Sequence, residues 1–164
     1  MKTIKIIKFQ NKPEQKKYRK RKSTRAVVFD NEGKIAILSV TKHEYHKIPG
    51  GGIEKGENIK TALERECLEE IGCKIEIIKE LGLITEYRDQ FKIVQSSYGY
   101  VAKVKGKKGN PDFTKDEIAD GFKLKWINLE KAIKLLEADS AKSYSGKFIR
   151  IRDLVYLKEA KKYI

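Results

Sequence analysis

Gly51-Gly52-Ile53-Glu54-Lys55-Gly56-Glu57, then seven residues, then Arg65-Glu66-Cys67-Leu68-Glu69-Glu70-Ile71-Gly72-Cys73, reads as a glycine loop feeding an acidic helix. Asn58 suits the N-cap and Gly72 the residue just past the C-terminus, which predicts a helix over about Ile59 to Ile71. Leu63, Cys67 and Ile71 recur every four residues and give that helix an apolar stripe to bury. Beside the stripe, Glu66, Glu69 and Glu70 stand at i, i+3 and i+4, so three carboxylates share one face. Like charges at this spacing weaken a helix by roughly 0.2–0.5 kcal/mol per pair. Glu69 can meet Arg65 and Glu70 can meet Lys74, but Glu66 has only Ala62 and Glu70 at four residues' distance. A hard divalent cation with oxygen ligands, magnesium or manganese, would turn the repulsion into coordination. The alternative is a solvated acidic face.

Spacing separates these two readings. The stretch resembles the Nudix box, Gly-x5-Glu-x7-Arg-Glu-U-x-Glu-Glu-x-Gly-U, in which U is a bulky apolar residue. Gly51, Glu57, Arg65, Glu66, Glu69, Glu70 and Gly72 match all seven fixed positions. A chance match at a given start is about one in 10⁸ at ordinary residue frequencies. Both U positions are cysteine, Cys67 and Cys73, which as free thiols pack like small hydrophobes. The neighbouring glycines form neither a P-loop nor G-x-G-x-x-G.

At 164 residues the chain suits one domain, 1–164, with a strand and basic arm over 1–24 and a basic helix over 141–164. It is 40% hydrophobic and 37% charged, and no apolar run approaches the roughly 20 residues needed to cross a membrane. Lysines interrupt the apolar residues of Met1 to Lys8, unlike a signal peptide, so a cytoplasmic location is expected. Cys67 and Cys73 lack the companions of a zinc site, and neither a disulfide nor metal ligation is expected of them. A net charge of +14 attracts polyanions, whether nucleotides, nucleic acid or anionic membrane.

Ile4 to Phe9 suggests a short, edge-type strand. Eight basic residues follow between Lys12 and Arg25, read first as a solvated linker and second as an anion-gathering arm or RNA contact. Within it Arg19 and Arg25, nearest the next strand, are the phosphate-contact candidates. Arg25 to Phe29 and Ile35 to Val40 form a hairpin expected at the sheet's centre. His43 and His46 read as loop histidines near phosphate rather than zinc ligands. Further strands are expected over Lys74 to Ile78, Leu81 to Tyr87, Phe91 to Val104 and Lys123 to Asn128, and helices over about Leu129 to Ala138 and Tyr144 to Tyr163. In the last helix Phe148, Ile151, Leu154 and Val155 are expected to face the core, with Lys147, Arg150, Arg152, Lys158, Lys161 and Lys162 outward. Tyr87 and Trp126 could stack on a base, although strand aromatics more often fill cores.

The resemblance implies an α/β fold, the Nudix-type α/β/α sandwich with a mixed β-sheet, and hydrolysis of a diphosphate joined to another moiety, usually a nucleoside, with Mg or Mn. Position by position it makes Glu66, Glu69 and Glu70 metal ligands, with the carbonyl of Gly50 or Gly51 beside them. Arg65 would orient the carboxylates, with Glu57 pairing to it. The water-activating base differs among family members; Glu70, Glu69 and the downstream Glu117 are the candidates, with Asp116 and Asp120 in the same loop. No proline lies between Pro49 and Pro111, so the marker of the ADP-ribose subfamily is missing, while Tyr87 falls near the tyrosine of dinucleoside polyphosphate hydrolases. Family members are often homodimers, and no interface signature is visible here. Three readings follow: a MutT-like nucleoside triphosphate pyrophosphohydrolase first, a dinucleoside polyphosphate or RNA 5′-end pyrophosphohydrolase second, and a non-catalytic nucleotide- or RNA-binding module third.

Overall fold

The computed structural model describes residues 1–11 and 17–163; Lys12 and Lys16 of the basic run lie outside them. One seven-stranded sheet runs in the order β1 (Thr3–Lys8), β5 (Lys74–Arg88), β6 (Ile93–Lys105), β2 (Arg19–Phe29), β3 (Ile35–Val40), β4 (Tyr45–Lys47), with β7 (Phe122–Ile127) on β3. β1 joins β5 and β2 joins β6 in parallel, whereas β5–β6, β3–β4 and β3–β7 are antiparallel. The sheet is therefore mixed, β1 is an edge, and β2 and β3 are internal.

Alternating residues send two cores to opposite faces. Ala26, Val28, Ala36, Tyr100 and Ala102 pack with Leu63, Cys67 and Ile71 of α1 (Ile59–Ile71). Val27, Phe29, Ile35, Ile37, Ile84 and Val101 pack with α3 (Leu129–Ala138) and α4 (Tyr144–Ala160). These are the helix, sheet and helix layers of an α/β/α sandwich. A short helix, α2 (Lys115–Ala119), precedes β7. Among the described residues no helix is long and apolar enough to cross a membrane.

Four expectations shift. β2 begins at Arg19 rather than Arg25, so the end of the basic run is strand rather than solvated linker or arm, because it pairs with β6 from Ile93 onward. β5 is one strand rather than two, because bulges at Ile77/Lys79 and Glu80/Gly82 absorb the polar break at Lys79-Glu80. α4 ends at Ala160 and gives way to a tighter turn over Lys161–Tyr163. Its buried face is also rotated: Phe148, Arg152, Asp153, Tyr156, Leu157 and Ala160 are buried, while Ile151, Leu154 and Val155 pack at its margin. Arg152, expected outward, is wholly inside because Glu86 and Asp153 supply opposite charge there.

The loop that positions the site fills a wedge in the sheet. β2 and β3 pair only at Phe29 and Ile35. Into the gap the chain after β4 crosses from β3 to β2: Ala26 N–H donates to Pro49 O, Thr24 N–H to Gly51 O, and Ile53 N–H to Lys22 O. The glycine stretch is thereby held as extended backbone along a central strand and then released into α1.

Candidate active site

α1 begins on a capping box. Asn58 Oδ1 accepts the N–H groups of Lys60 and Thr61, and Thr61 Oγ1 accepts that of Asn58. It stops at Gly72, whose φ of +63° lets its N–H return to the last carbonyls of the helix. Its buried stripe then fixes the helix's rotation, which turns the acidic face toward the Gly50–Ile53 segment.

Arg65 organises that face. Its Nε and Nη2 donate to the two oxygens of Glu57 at 2.8 and 3.1 Å, Nη1 donates to Glu66 at 3.0 Å and Glu69 at 3.1 Å, and Nη2 also reaches Gly52 O at 3.0 Å. The fork thus ties loop and helix together. The hydrogen bonds from Arg65, and then the Glu54 N–H, hold Glu57 down to about 2. The bond to Glu57, opposed by burial and aided by Glu66, raises the Arg65 guanidinium in turn.

The three acids sit differently. Glu66 lies under Gly51, where a Cβ would fall 2.1 Å from its Oε1, so only a bare α-carbon permits the approach. Glu69 is the open one, with 47% of its side chain exposed. Glu70 turns inward: Oε2 accepts Gly50 N–H at 2.8 Å and Oε1 pairs with the Lys47 ammonium. Burial raises its pKa, with Lys47 and the Gly50 N–H opposing. Lys47 also faces the Gly50 carbonyl at 3.4 Å, so carboxylate and carbonyl oxygens converge on one cation. Among the described residues no three His, Cys, Asp or Glu side chains are gathered closely enough to hold a metal ion as they stand.

Of the other candidates, Arg19 is exposed at the start of β2, and Arg25 is buried on the α4 face with Nη1 donating to Thr24 O. Tyr87 is half-buried on β5 opposite Val94, on the other face from Arg25. Trp126 lines the α1-side core under the Lys108 ammonium, 4.0 Å from its ring centre. Glu117 caps its own helix, accepting from Thr114 N–H and Oγ1. The carbonyl of Gly51 accepts Thr24 N–H. His43 and His46 pair with Asp120 and Asp139.

Sequence reasoning missed Lys47 and the buried polar group formed by Glu86, Arg88, Gln95, Arg152 and Asp153. A signal for the latter existed: Phe148, Arg152, Tyr156 and Ala160 form a four-residue repeat in which the arginine holds a core position.

A family model of the NUDIX domain matches residues 19–148. The RNA pyrophosphohydrolase of Campylobacter jejuni subsp. jejuni serotype O:23/36 (strain 81-176) is 44% identical over 59 residues, 35% of this chain and 38% of that protein. Diphosphoinositol polyphosphate phosphohydrolase 3-beta of Homo sapiens is 29% identical over 120 residues, 71% of this chain and 70% of that protein. The crystal structure of a MutT protein from Methanosarcina mazei Go1 superposes with a TM-score of 0.60 at 15% identity, over 90% of this chain and 97% of that one. This last likeness is one of fold.

Proposed function

The chain belongs to the Nudix hydrolase family, and from that premise we propose that it hydrolyses a diphosphate linkage in a nucleoside diphosphate derivative, first of all a nucleoside triphosphate. The observation that carries this reading is the Arg65 fork, which holds Glu57, Glu66, Glu69 and the Gly52 carbonyl in one constellation beside Glu70. Glu66, Glu69 and Glu70, with the carbonyl of Gly50 or Gly51, offer only hard oxygen donors, the set that suits magnesium or manganese. In the structure the oxygens of Glu70 and Gly50 meet the Lys47 ammonium, which a metal ion bound to Glu70 Oε1 would displace. When bound, such an ion supplies Lewis-acid charge neutralisation and a template for in-line displacement.

The protein's own residues do the rest. Phosphoryl transfer asks chiefly for positioning and electrostatic stabilisation. Arg65 fixes the carboxylates, and Glu57 holds Arg65. We assign to Glu69, the exposed acid with one oxygen on Arg65, the role of accepting the proton of an attacking water, since Glu70 is held at both oxygens and Glu117 is occupied by its cap. The exposed Arg19, Lys20 and Lys22 at the start of β2 draw polyphosphate toward the site.

A second reading, RNA 5′-end hydrolysis, draws support from the same basic strand and from the Campylobacter relative. Phosphate and pyrophosphate release should be measured with magnesium or manganese on nucleoside triphosphates, 5′-triphosphate RNA, dinucleoside polyphosphates, ADP-ribose and a diphosphoinositol polyphosphate. Preference for small nucleotides, abolished by Glu69→Gln, supports the first reading; preference for RNA, weakening steeply with salt, supports the second. Metal-independent binding without turnover of any substrate sinks both.

A further inference from the structure

Between α4 and the sheet, arginines outnumber the carboxylates that pair with them. Arg21, Arg25, Arg88 and Arg152 gather there around two carboxylates, Glu86 and Asp153. Glu86 is fully buried and accepts Arg88 Nη2 at 2.9 Å, Gln95 Nε2 at 2.7 Å and Ser97 Oγ at 2.9 Å, with Arg152 Nη1 at 3.6 Å. Asp153 accepts Arg152 Nε at 2.7 Å and Ile48 N–H at 3.0 Å. Arg21 donates to Gln95 Oε1 at 2.5 Å. On the α1 side Glu70 is paired with Lys47, and Glu66 shares Arg65 with Glu57 and Glu69. Among the described residues, three buried guanidinium groups and the half-exposed Arg21 thus face the two carboxylates that pair with them on this side of the sheet, two positive charges more than those carboxylates match.

Their N–H groups are also underused. Arg25 Nε, Arg88 Nε and both terminal nitrogens of Arg152 are buried without a hydrogen-bond partner among the described residues. Burial, followed by repulsion from Arg152, lowers Arg25 to about 10. Burial, then Arg88 and Arg152, lowers Arg21 as well. Buried charge and buried donors are ordinarily paired, so this grouping calls for an anion.

We propose that Arg21, Arg88 and Arg152, with Arg25 behind them, form a phosphate-binding subsite. Guanidinium forks match phosphate oxygens bidentately, and a phosphate dianion balances the two surplus charges. Arg21 is the opening, half-exposed at the rim with Nη2 3.1 Å from where a Cβ on Gly52 would stand. Gly51 on the same extended segment abuts Glu66, and successive residues point to opposite faces. One backbone segment therefore stands between the acidic constellation and the arginine cluster. Assigning the phosphate to a substrate rests on the hydrolase reading; the subsite itself does not.

The test uses the full chain in EDTA, with inorganic phosphate as probe, read by calorimetric titration and thermal shift. Phosphate should bind the parent protein and raise its Tm. Arg21→Gln, the variant least exposed to folding defects, should weaken binding roughly tenfold, the worth of one charge-assisted hydrogen bond. Glu86→Gln should tighten binding, because it removes an opposing charge; a structural role alone predicts no such gain. Absence of millimolar binding, an unaltered affinity in Arg21→Gln, or weaker binding by folded Glu86→Gln overturns the proposal. Turnover then assigns the source. If the phosphate belongs to the substrate, inorganic phosphate raises KM without lowering kcat, and Arg21→Gln raises KM; if it is a free ion, phosphate changes kcat at saturating substrate. Either result upholds the subsite. Turnover without phosphate binding refutes the subsite alone, and phosphate binding without turnover of any substrate refutes only the hydrolase reading.

Discussion

Replacing Lys47 with methionine tests the buried ion pair behind the acidic helix. Only 8% of the Lys47 side chain and 3% of that of Glu70 are exposed. Methionine keeps most of the apolar stem and removes the ammonium, which leaves the Glu70 carboxylate inside with the Gly50 N–H as its remaining donor. Breaking a buried pair from one side costs about 3–5 kcal/mol, because the other charge stays desolvated. In a chain of this size each kcal/mol moves Tm by roughly 2–4 °C, so Lys47→Met should fall by about 6–20 °C. The double variant Lys47→Met/Glu70→Gln should recover most of that loss, since the glutamine oxygen can still accept the Gly50 N–H. Urea unfolding at pH 7 in EDTA across the four proteins gives a coupling energy, expected at about 2 kcal/mol or more. A single-variant loss below about 1 kcal/mol, with additive effects around the cycle, would refute the claim that Lys47 neutralises Glu70.

Gly51→Ala drives a Cβ to within 2.1–2.4 Å of the Glu66 carboxylate, which must retreat by about 1 Å; kcat/KM should fall roughly 100-fold with Tm little changed, and unaltered kinetics would contradict the geometry. Asn58→Ala removes two cap bonds and should cost about 1 kcal/mol by denaturant titration, an effect absent if the cap is redundant. Burial would raise Glu86, but Arg152 and Arg88 outweigh it and hold the group at about 2 against an ordinary 4.5. Its stabilising contribution is therefore present above about 4.5 and lost as the pH falls through 2, so Tm between those limits should slope less in Glu86→Gln; equal slopes would show that Glu86 is not held low.

Local rules carried much of the architecture. The bounds of α1 follow from Asn58 and Gly72, and the buried residues of α3, Leu129, Ala132, Ile133 and Leu136, follow from a simple repeat. In both cases caps and periodicity act within a few residues. β5 was harder, because whether Lys79-Glu80 ends a strand or bulges within it depends on β6 beside it. α4 was hardest: helical spacing alone could not tell that Arg152 would find Glu86, 66 positions earlier in the chain, across the core.

The candidate site divides along the same line. The sequence by itself determined the acidic triplet with Arg65 one turn before Glu69, because a helix places i, i+3 and i+4 together wherever it folds, whereas the pairing of Glu57, which precedes the helix, was implied by the resemblance. It also determined the two-faced helix that presents them. Only the tertiary structure decided that Glu70 turns inward to Lys47 while Glu69 stays open, that Gly51 backs onto Glu66, and that four arginines converge under α4. The first two arise where β4, the glycine segment and α1 meet, and the third where β2, β5 and α4 meet. The burial and neighbouring charges that set each group's environment come from residues far apart in the chain, and only packing brings them within reach.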